Sequence, residues 1–399
     1  MVRVKALDEL TPADLWQAVP HDDEDFWVDT GERMRAVLKH LMQGALEEEQ
    51  VELLAASRYR RVEVRRGYRN GYYERDLVTQ LGVVQGIRVP RARGLHADHR
   101  VFARYQRRQR EVNDLIRDVF LRGVSTREVG RVLEAMLGER VSAATVSRVA
   151  RSLTAEVQQF HAAPLEDDWR YLLLDGVYLR VKGAAKVRRR LILCAYGIST
   201  SGQRRLLDFR LADSESAACW EGFLNTLRER GLLGRRLQLV TTDGCPGLHA
   251  ALQVVYPHVP RQHCWAHKLR NVSNLLKRSQ QAACIAGARA IYQARTRRAA
   301  VAAYWRWARR WRPEAPKAVA CLERDLDDLL AHFACPEAHR VKVRTTNAIE
   351  RCFREVRRRT RPMSCFTNDQ SCERITYAVI SHLNHGWEDK PLREFTHKA

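Results

Sequence analysis

The chain changes texture after Pro164, and that change limits its possible folds more than any other feature. Three apolar runs of strand length, 171–174, 191–198 and 206–211, follow closely on one another. A helical stretch at 214–230 comes next, then a further buried strand at 237–242. Continuous apolar runs suit strands covered on both faces, and strand–helix alternation predicts an α/β fold with a mixed sheet flanked by helices. From 268 to about 330 the chain is helical and rich in Ala and Arg. Trp305, Trp307 and Trp311 fall there, and are expected in a core rather than stacked on DNA. A basic helix at 344–359 and another helix at 375–383 complete the pattern.

Upstream, 24–57 reads as helix, with Met34, Val37, Leu38, Leu41 and Met42 at helical spacing. Asn70-Gly71 is a turn signal, and Leu77, Thr79, Leu81 and Val83 alternate as short strands do. Residues 86–90 read as a return strand ended by Pro90. Between 111 and 157 a helical bundle is expected, resembling a helix-turn-helix. Gly123-Val124-Ser125 caps a helix carrying Val129 and Val132, and Ser142 N-caps a second helix beginning at Ala143. Thr145, Ser147 and Arg148 stand near that helix start, where a recognition helix presents side chains to bases or phosphates.

The charge points to a polyanion. The chain holds 69 Lys and Arg against 47 Asp and Glu, a net charge of +22. A surplus of this size favours nucleic acid as partner. Residues 88–110 hold eight Arg and one Asp, interleaved with or near Tyr68, Tyr72, Tyr73 and Tyr105. Arg69, Arg91 and Arg93 are therefore candidate phosphate contacts. Ten cysteines without a CxxC pair argue against a zinc ribbon or a disulfide framework. The start has no apolar core of signal-peptide length, and no stretch approaches the ~18 apolar residues of a membrane span. A cytoplasmic protein with no membrane contact is expected.

Three carboxylates stand out. Asp175 follows the apolar run YLLL, and a carboxylate there is costly unless it is paired or binds metal. Asp243 repeats the arrangement in LQLVTTDG, again at an expected strand end and again before Gly. Either Asp-Gly step alone reads equally as an ordinary turn. On the basic helix, Glu350 and Glu355 are rival third carboxylates, and a surface salt-bridge pattern accounts for either. Two strand-end aspartates and one helical glutamate suit two-metal phosphoryl transfer. Hard oxygen ligands select Mg²⁺ or Mn²⁺, two ions ~3.5–4 Å apart. Cys264 and His267 form a C-x2-H pair that could offer two zinc ligands, with His263 and His249 as neighbours. No second pair stands at a fitting distance, so a structural role or contact with a DNA end is preferred.

The segments YLLLDGVYLRV, TTDGCPGLHAAL, QHCWAHKLRNV and RTTNAIERCFREVRRRTRPM resemble those of the mutator-type bacterial transposases, the insertion-sequence 256 family. The resemblance runs from about Met34 to Phe395. It implies a ribonuclease-H-like catalytic domain with an all-α insertion, preceded by helical DNA-binding domains with a small β element. It also implies a DDE triad of Asp175, Asp243 and Glu350, which selects Glu350 over Glu355 and makes the three both catalytic and metal-holding. Cys264 and His267 match a family signature near the site. The implied domains are 1–110 and 111–160 for DNA binding, 165–270 and 341–399 for catalysis, and 271–340 for the insertion. Arg351, Arg354, Arg357 and Arg358 join the DNA-contact candidates beside Glu350. Such proteins bind terminal inverted repeats and target DNA, act as homodimers and move by a copy-out–paste-in route through a circular intermediate. A nuclease or resolvase of the same fold, and an inactive DNA-binding regulator, are the alternatives.

Overall fold

A computed structural model describes residues 23–60, 62–95, 99–101, 106–121, 124, 126–138, 141–183, 186–361 and 364–396. The chain forms two compact units, Met1–Arg151 and Ser152–Ala399.

In the first unit, helix α1 (Asp23–Leu54) packs on a hairpin of β1 (Tyr68–Thr79) and β2 (Gly82–Arg93). Leu46 of the helix meets Leu77, Val84, Ile87 and Val89 of the hairpin in one small core. The tight turn lies at Gln80-Leu81, between the paired Thr79 and Gly82, and not at Asn70-Gly71. Asn70-Gly71 instead forms a bulge inside β1, where the register shifts between Arg69 and Tyr72 and Gly71 takes φ +70°. A bulge calls for the same left-handed backbone as a turn, so the dipeptide alone does not tell them apart. Strand β2 also runs through Pro90, which sits opposite Tyr72. The sheet has two strands, so β2 is an edge, where proline is tolerated.

Helices α2 (Arg110–Leu121), α3 (Thr126–Leu137) and α4 (Ala143–Arg151) enclose Val112, Ile116, Val129, Leu133 and Val146. The Ser142 hydroxyl caps α4 as expected, accepting the Thr145 N–H at 3.2 Å. Val124 packs against this core, whereas Gly123, Ser125 and Tyr105 lie outside the described residues.

The second unit begins with α5 (Leu153–Ala162). Its sheet contains β3 (Trp169–Lys182), β4 (Val187–Ser199), β5 (Arg204–Ala212), β6 (Leu239–Thr242) and β7 (Arg261–His263). The spatial order is β5-β4-β3-β6-β7. The first three strands are antiparallel neighbours, and β6 and β7 run parallel to β3. The sheet is therefore mixed, as the alternation of elements predicts. Leu172 and Leu174 bury one face of β3 in a core with Trp220, Phe223 and Leu227 of α6 (Ala217–Glu229) and Leu248, Leu252 and Val255 of α7 (Pro246–Val255). Alternation along a strand turns Tyr171, Leu173 and Asp175 to the opposite face. On β5 the Asn384 side chain bonds both backbone groups of Leu206, at 2.9 and 3.0 Å, as a neighbouring strand would.

After β7 come α8 (Trp265–Asn274), α9 (Arg278–Tyr292), α10 (Arg297–Trp311), α11 (Pro316–Glu323), α12 (Leu326–Leu330) and α13 (Glu337–Val343). Trp307 and Trp311 are buried in their common core, as expected, with the Trp307 indole donating to the Cys284 carbonyl at 2.9 Å. Trp305 departs from expectation and is 55 % exposed. The chain then returns to the sheet as α14 (Asn347–Thr360) and α15 (Asp369–His385), and ends in the short α16 (Arg393–Thr396).

Candidate active site

Asp175 is not at a strand end. It lies inside β3 opposite Cys194, because β4 accompanies β3 as far as Lys182. On its other side β3 loses its neighbour sooner: the parallel register pairs Leu173 with Thr241, and β6 stops at Thr242. Continued by two residues, that register brings Asp243 level with Asp175. Asp243 occupies the turn into α7, its carboxylate accepting the Cys245 N–H at 3.0 Å. Gly244 makes this turn possible. It has φ +89°, and a methyl group there would stand 2.1 Å from the His263 ring.

Glu350 enters from the first turn of α14. The start of α8 ties that helix to the aspartate strand. The Cys264 N–H donates to the Thr242 carbonyl at 2.7 Å, and the Trp265 N–H to the Arg344 carbonyl at 3.1 Å. Thr346, fully buried, donates to Cys264 Sγ from its N–H at 3.3 Å and its hydroxyl at 3.5 Å. The same hydroxyl lies 3.5 Å from His267 Nδ1. Glu350 Oε1 is held between His267 Nε2 at 3.5 Å and Arg270 Nη2 at 3.4 Å. Glu355 lies further along the helix, where it pairs with Arg358 at 3.0 Å and Arg359 at 2.8 Å. The C-x2-H pair thus serves as a bridge between the β6 end and the Glu350 helix.

Electrostatics mark the spot. Burial pushes the Asp175 carboxyl up to about 7; the charges of Asp243 and Glu350 add to the effect, while His267 and a Thr346 hydrogen bond oppose it. His267 is raised as well, to about 9, chiefly through its hydrogen bond with Cys264, with the Asp175 and Asp243 charges assisting against burial, which lowers it. Asp175, His267 and Glu350 line a cavity of about 410 Å³ with Tyr178, Arg189, Arg270, Arg354 and Arg357. Carboxylates and arginines lining one cavity suit a phosphodiester, whose charge the arginines can meet.

Relatives of the chain are transposases. Residues 13–390 match the family described as Transposase, Mutator family. The chain belongs to that family. It is 33 % identical over 364 residues to the transposase for insertion sequence element ISRM5 of Rhizobium meliloti, covering 91 % of each chain. It is 35 % identical over 353 residues to that for IS406 of Burkholderia multivorans, covering 88 % of this chain and 90 % of the relative. With the transposase for IS256 in transposon Tn4001 of Staphylococcus aureus it shares 30 % over 354 residues, 88 % and 90 % of the two chains.

The site of this Mutator-family transposase includes a carboxylate that sequence reasoning missed. Glu215, just before α6, lies against the Asp175-Gly176 step, where a methyl group on Gly176 would stand 2.7 Å from its Oε1. Burial, and then the charge of Asp243, raise its carboxyl above the usual range. The signal was indirect: Gly176 and Gly247 both leave room for this one residue, the latter for its carbonyl.

The expected DNA contacts fall in both units. In the first unit the Arg69 guanidinium bonds Glu47 at 2.6 Å, and Arg91 lies over the Tyr73 ring at 5.1 Å. Arg93 is exposed on β2; on α4, Ser147 and Arg148 are exposed and Thr145 is half-buried. In the second unit Arg354 and Arg357 share the Asp175 cavity, Arg351 lines a neighbouring groove, and Arg358 is engaged by Glu355. Among the described residues no helix is long and apolar enough to cross a membrane.

A hard divalent cation matches the donor chemistry, because Asp175, Asp243 and Glu350 offer only oxygen and Asp175 is buried among like charges. Among the described residues, however, no group of three His, Cys, Asp or Glu side chains converges closely enough to hold a metal ion. Glu350 is turned to His267 and Arg270 instead.

Proposed function

We propose that this transposase cleaves and joins DNA at the terminal inverted repeats of its own insertion sequence, with Asp175, Asp243 and Glu350 as a DDE triad. The observation that carries the reading is the register of β3 and β6, which pairs Leu173 with Thr241 and, continued two residues, would bring Asp243 level with Asp175, beside the helix α14 that packs on β3. The order of three antiparallel strands followed by two short parallel ones supports a ribonuclease-H-like catalytic domain, with α9–α13 as its all-α insertion.

The triad carboxylates would hold Mg²⁺ or Mn²⁺, two ions per site, which supply an activated attacking oxygen and a stabilised leaving oxygen. The chain's own groups do the rest. Arg189, Arg354 and Arg357 face the cavity and neutralise the phosphates on either side of the scissile bond. His267 and Arg270 hold Glu350 at the cavity wall. No side chain serves as covalent nucleophile: water cuts the strand, and the freed 3′-hydroxyl attacks target DNA in the same cavity. Homodimers and a copy-out–paste-in route through a circular intermediate follow from the family resemblance.

The deciding experiment offers purified protein duplexes carrying its terminal repeats, intact and pre-cleaved, with a target DNA and Mg²⁺ or Mn²⁺. Cleavage and joined product are expected. Hydrolysis without joining identifies a nuclease or resolvase; end binding with neither reaction identifies a regulator.

A further inference from the structure

Beside the carboxylate cavity runs a second groove, of about 590 Å³, between α8, α9, α13 and α14. Its cations are Arg270, Arg289, Lys342, Arg344 and Arg351, and among the described residues no acidic one lines it. Arg270 lines both spaces, so the groove adjoins the site. The helix α14 serves both by its periodicity. Glu350, Arg354 and Arg357 line the cavity, while Asn347, Ala348 and Arg351 line the groove.

The cations are not equally occupied. Lys342 pairs with Glu394 at 3.0 Å, and Arg344 lies over the Tyr292 ring at 4.5 Å. Arg289 and Arg351 are exposed, and neither has a carboxylate partner among the described residues. The aromatic groups are already engaged: Trp265 is buried and touches Tyr292, with ring centroids 5.0 Å apart, and Tyr292 carries Arg344. Free guanidinium groups beside occupied rings offer sites for phosphates and none for stacked bases.

We infer that this groove holds the sugar–phosphate backbone of the DNA strand leading away from the scissile bond, contacting phosphates without reading sequence. The inference rests on the reading of the neighbouring cavity as the cleavage site. It assigns a role to the start of the α-helical insertion, where α9, through Arg289, guides the strand while α14 joins both spaces.

The test uses the full chain and duplexes carrying its terminal repeats. Binding is measured against salt for the parent, the Arg289→Ala/Arg351→Ala double variant and the Arg289→Lys/Arg351→Lys variant. The double alanine variant should show a log K against log salt slope shallower by about two, roughly one for each lost phosphate contact. The lysine variant should restore it. Single methylphosphonates, which neutralise one phosphate each, are then scanned along both strands. Those beyond the phosphates that flank the cleaved bond, on the strand leading away from it, should weaken binding by the parent and have no further effect on the alanine variant. The flanking ones, met by Arg189, Arg354 and Arg357, should weaken both. An unchanged slope, or methylphosphonate losses equal in parent and variant at every position, overturns the groove. Cleavage by the parent is scored separately, so a protein that fails to cut removes the catalytic reading, while the salt and methylphosphonate data still decide whether phosphates lie in the groove.

Discussion

Glu350 of α14 and His267 of α8 face each other, with Glu350 Oε1 3.5 Å from His267 Nε2. His267 is held charged up to about pH 9, mainly by its hydrogen bond with Cys264. Its charge therefore supports Glu350 and Asp175 below pH 9 and is lost as pH rises through that value. Cleavage by the parent should decline above pH 9. His267→Ala should lower the rate by about 10–100-fold, the usual cost of losing an orienting partner, and abolish that alkaline decline. An unchanged pH profile in the variant would detach His267 from the chemistry.

Glu350 and Glu355 lie on one helix in different surroundings. Glu350→Gln should cut cleavage by about 10²-fold or more, the scale on which one transition-state electrostatic partner is felt, with end binding retained. Glu355→Gln removes only pairs within its own helix, with the exposed Arg358 and the half-buried Arg359, worth about 0.3–0.5 kcal/mol each. Its cleavage rate should stay near the parent's. Equal losses in the two variants would take Glu350 out of its special role.

Glu215 tests whether a fourth carboxylate matters. Glu215→Gln keeps the shape against Gly176 and removes a negative charge near Asp243. Mn²⁺ titration should show affinity weakened by roughly tenfold, within the range seen when supporting groups of a metal site are changed. Identical titrations would make Glu215 a packing residue.

The turn after Asp243 tolerates no side chain. Gly244→Ala would place a methyl group 2.1 Å from the His263 ring at φ +89°. Strain of about 1–3 kcal/mol is expected. At roughly 2–4 °C per kcal/mol, calorimetry should detect the drop in melting temperature. A variant that melts and cuts like the parent would show the turn to be unconstrained.

Acid should destabilise the second unit through His332. The side chain is fully buried, with Nδ1 3.0 Å from both Gln262 Oε1 and the Leu329 carbonyl. Burial, aided by the charges of Arg344 and Arg340, holds its pKa down to about 4. The native state then resists a proton that the unfolded chain accepts from about pH 6.5 downward. Stability is fully present above that pH and is lost as pH falls towards 4, by at most about 3 kcal/mol from this residue. His332→Asn should flatten melting temperature against pH across this window. An equally steep profile would assign the acid sensitivity to other groups.

The apolar runs at 171–174, 191–198 and 206–211 determine strands by themselves, because continuous burial leaves no helical face to choose. Ser142 is equally legible, since a cap acts within one turn. Local chemistry says less where one residue type serves two geometries. Asn70-Gly71 signals a left-handed backbone, and only the pairing of β1 with β2 makes it a bulge. The run before Asp175 suggests a strand end, yet β4 continues the strand beyond it. Trp305 carries the same apolar bulk as Trp307, and helix packing alone turns it outward. The sequence by itself determined which segments must be buried and which carboxylates are costly. The tertiary structure decided that residues 175, 215, 243, 267 and 350 share one place, because strand register and helix docking set such distances, and neither is encoded within a few residues of any of them.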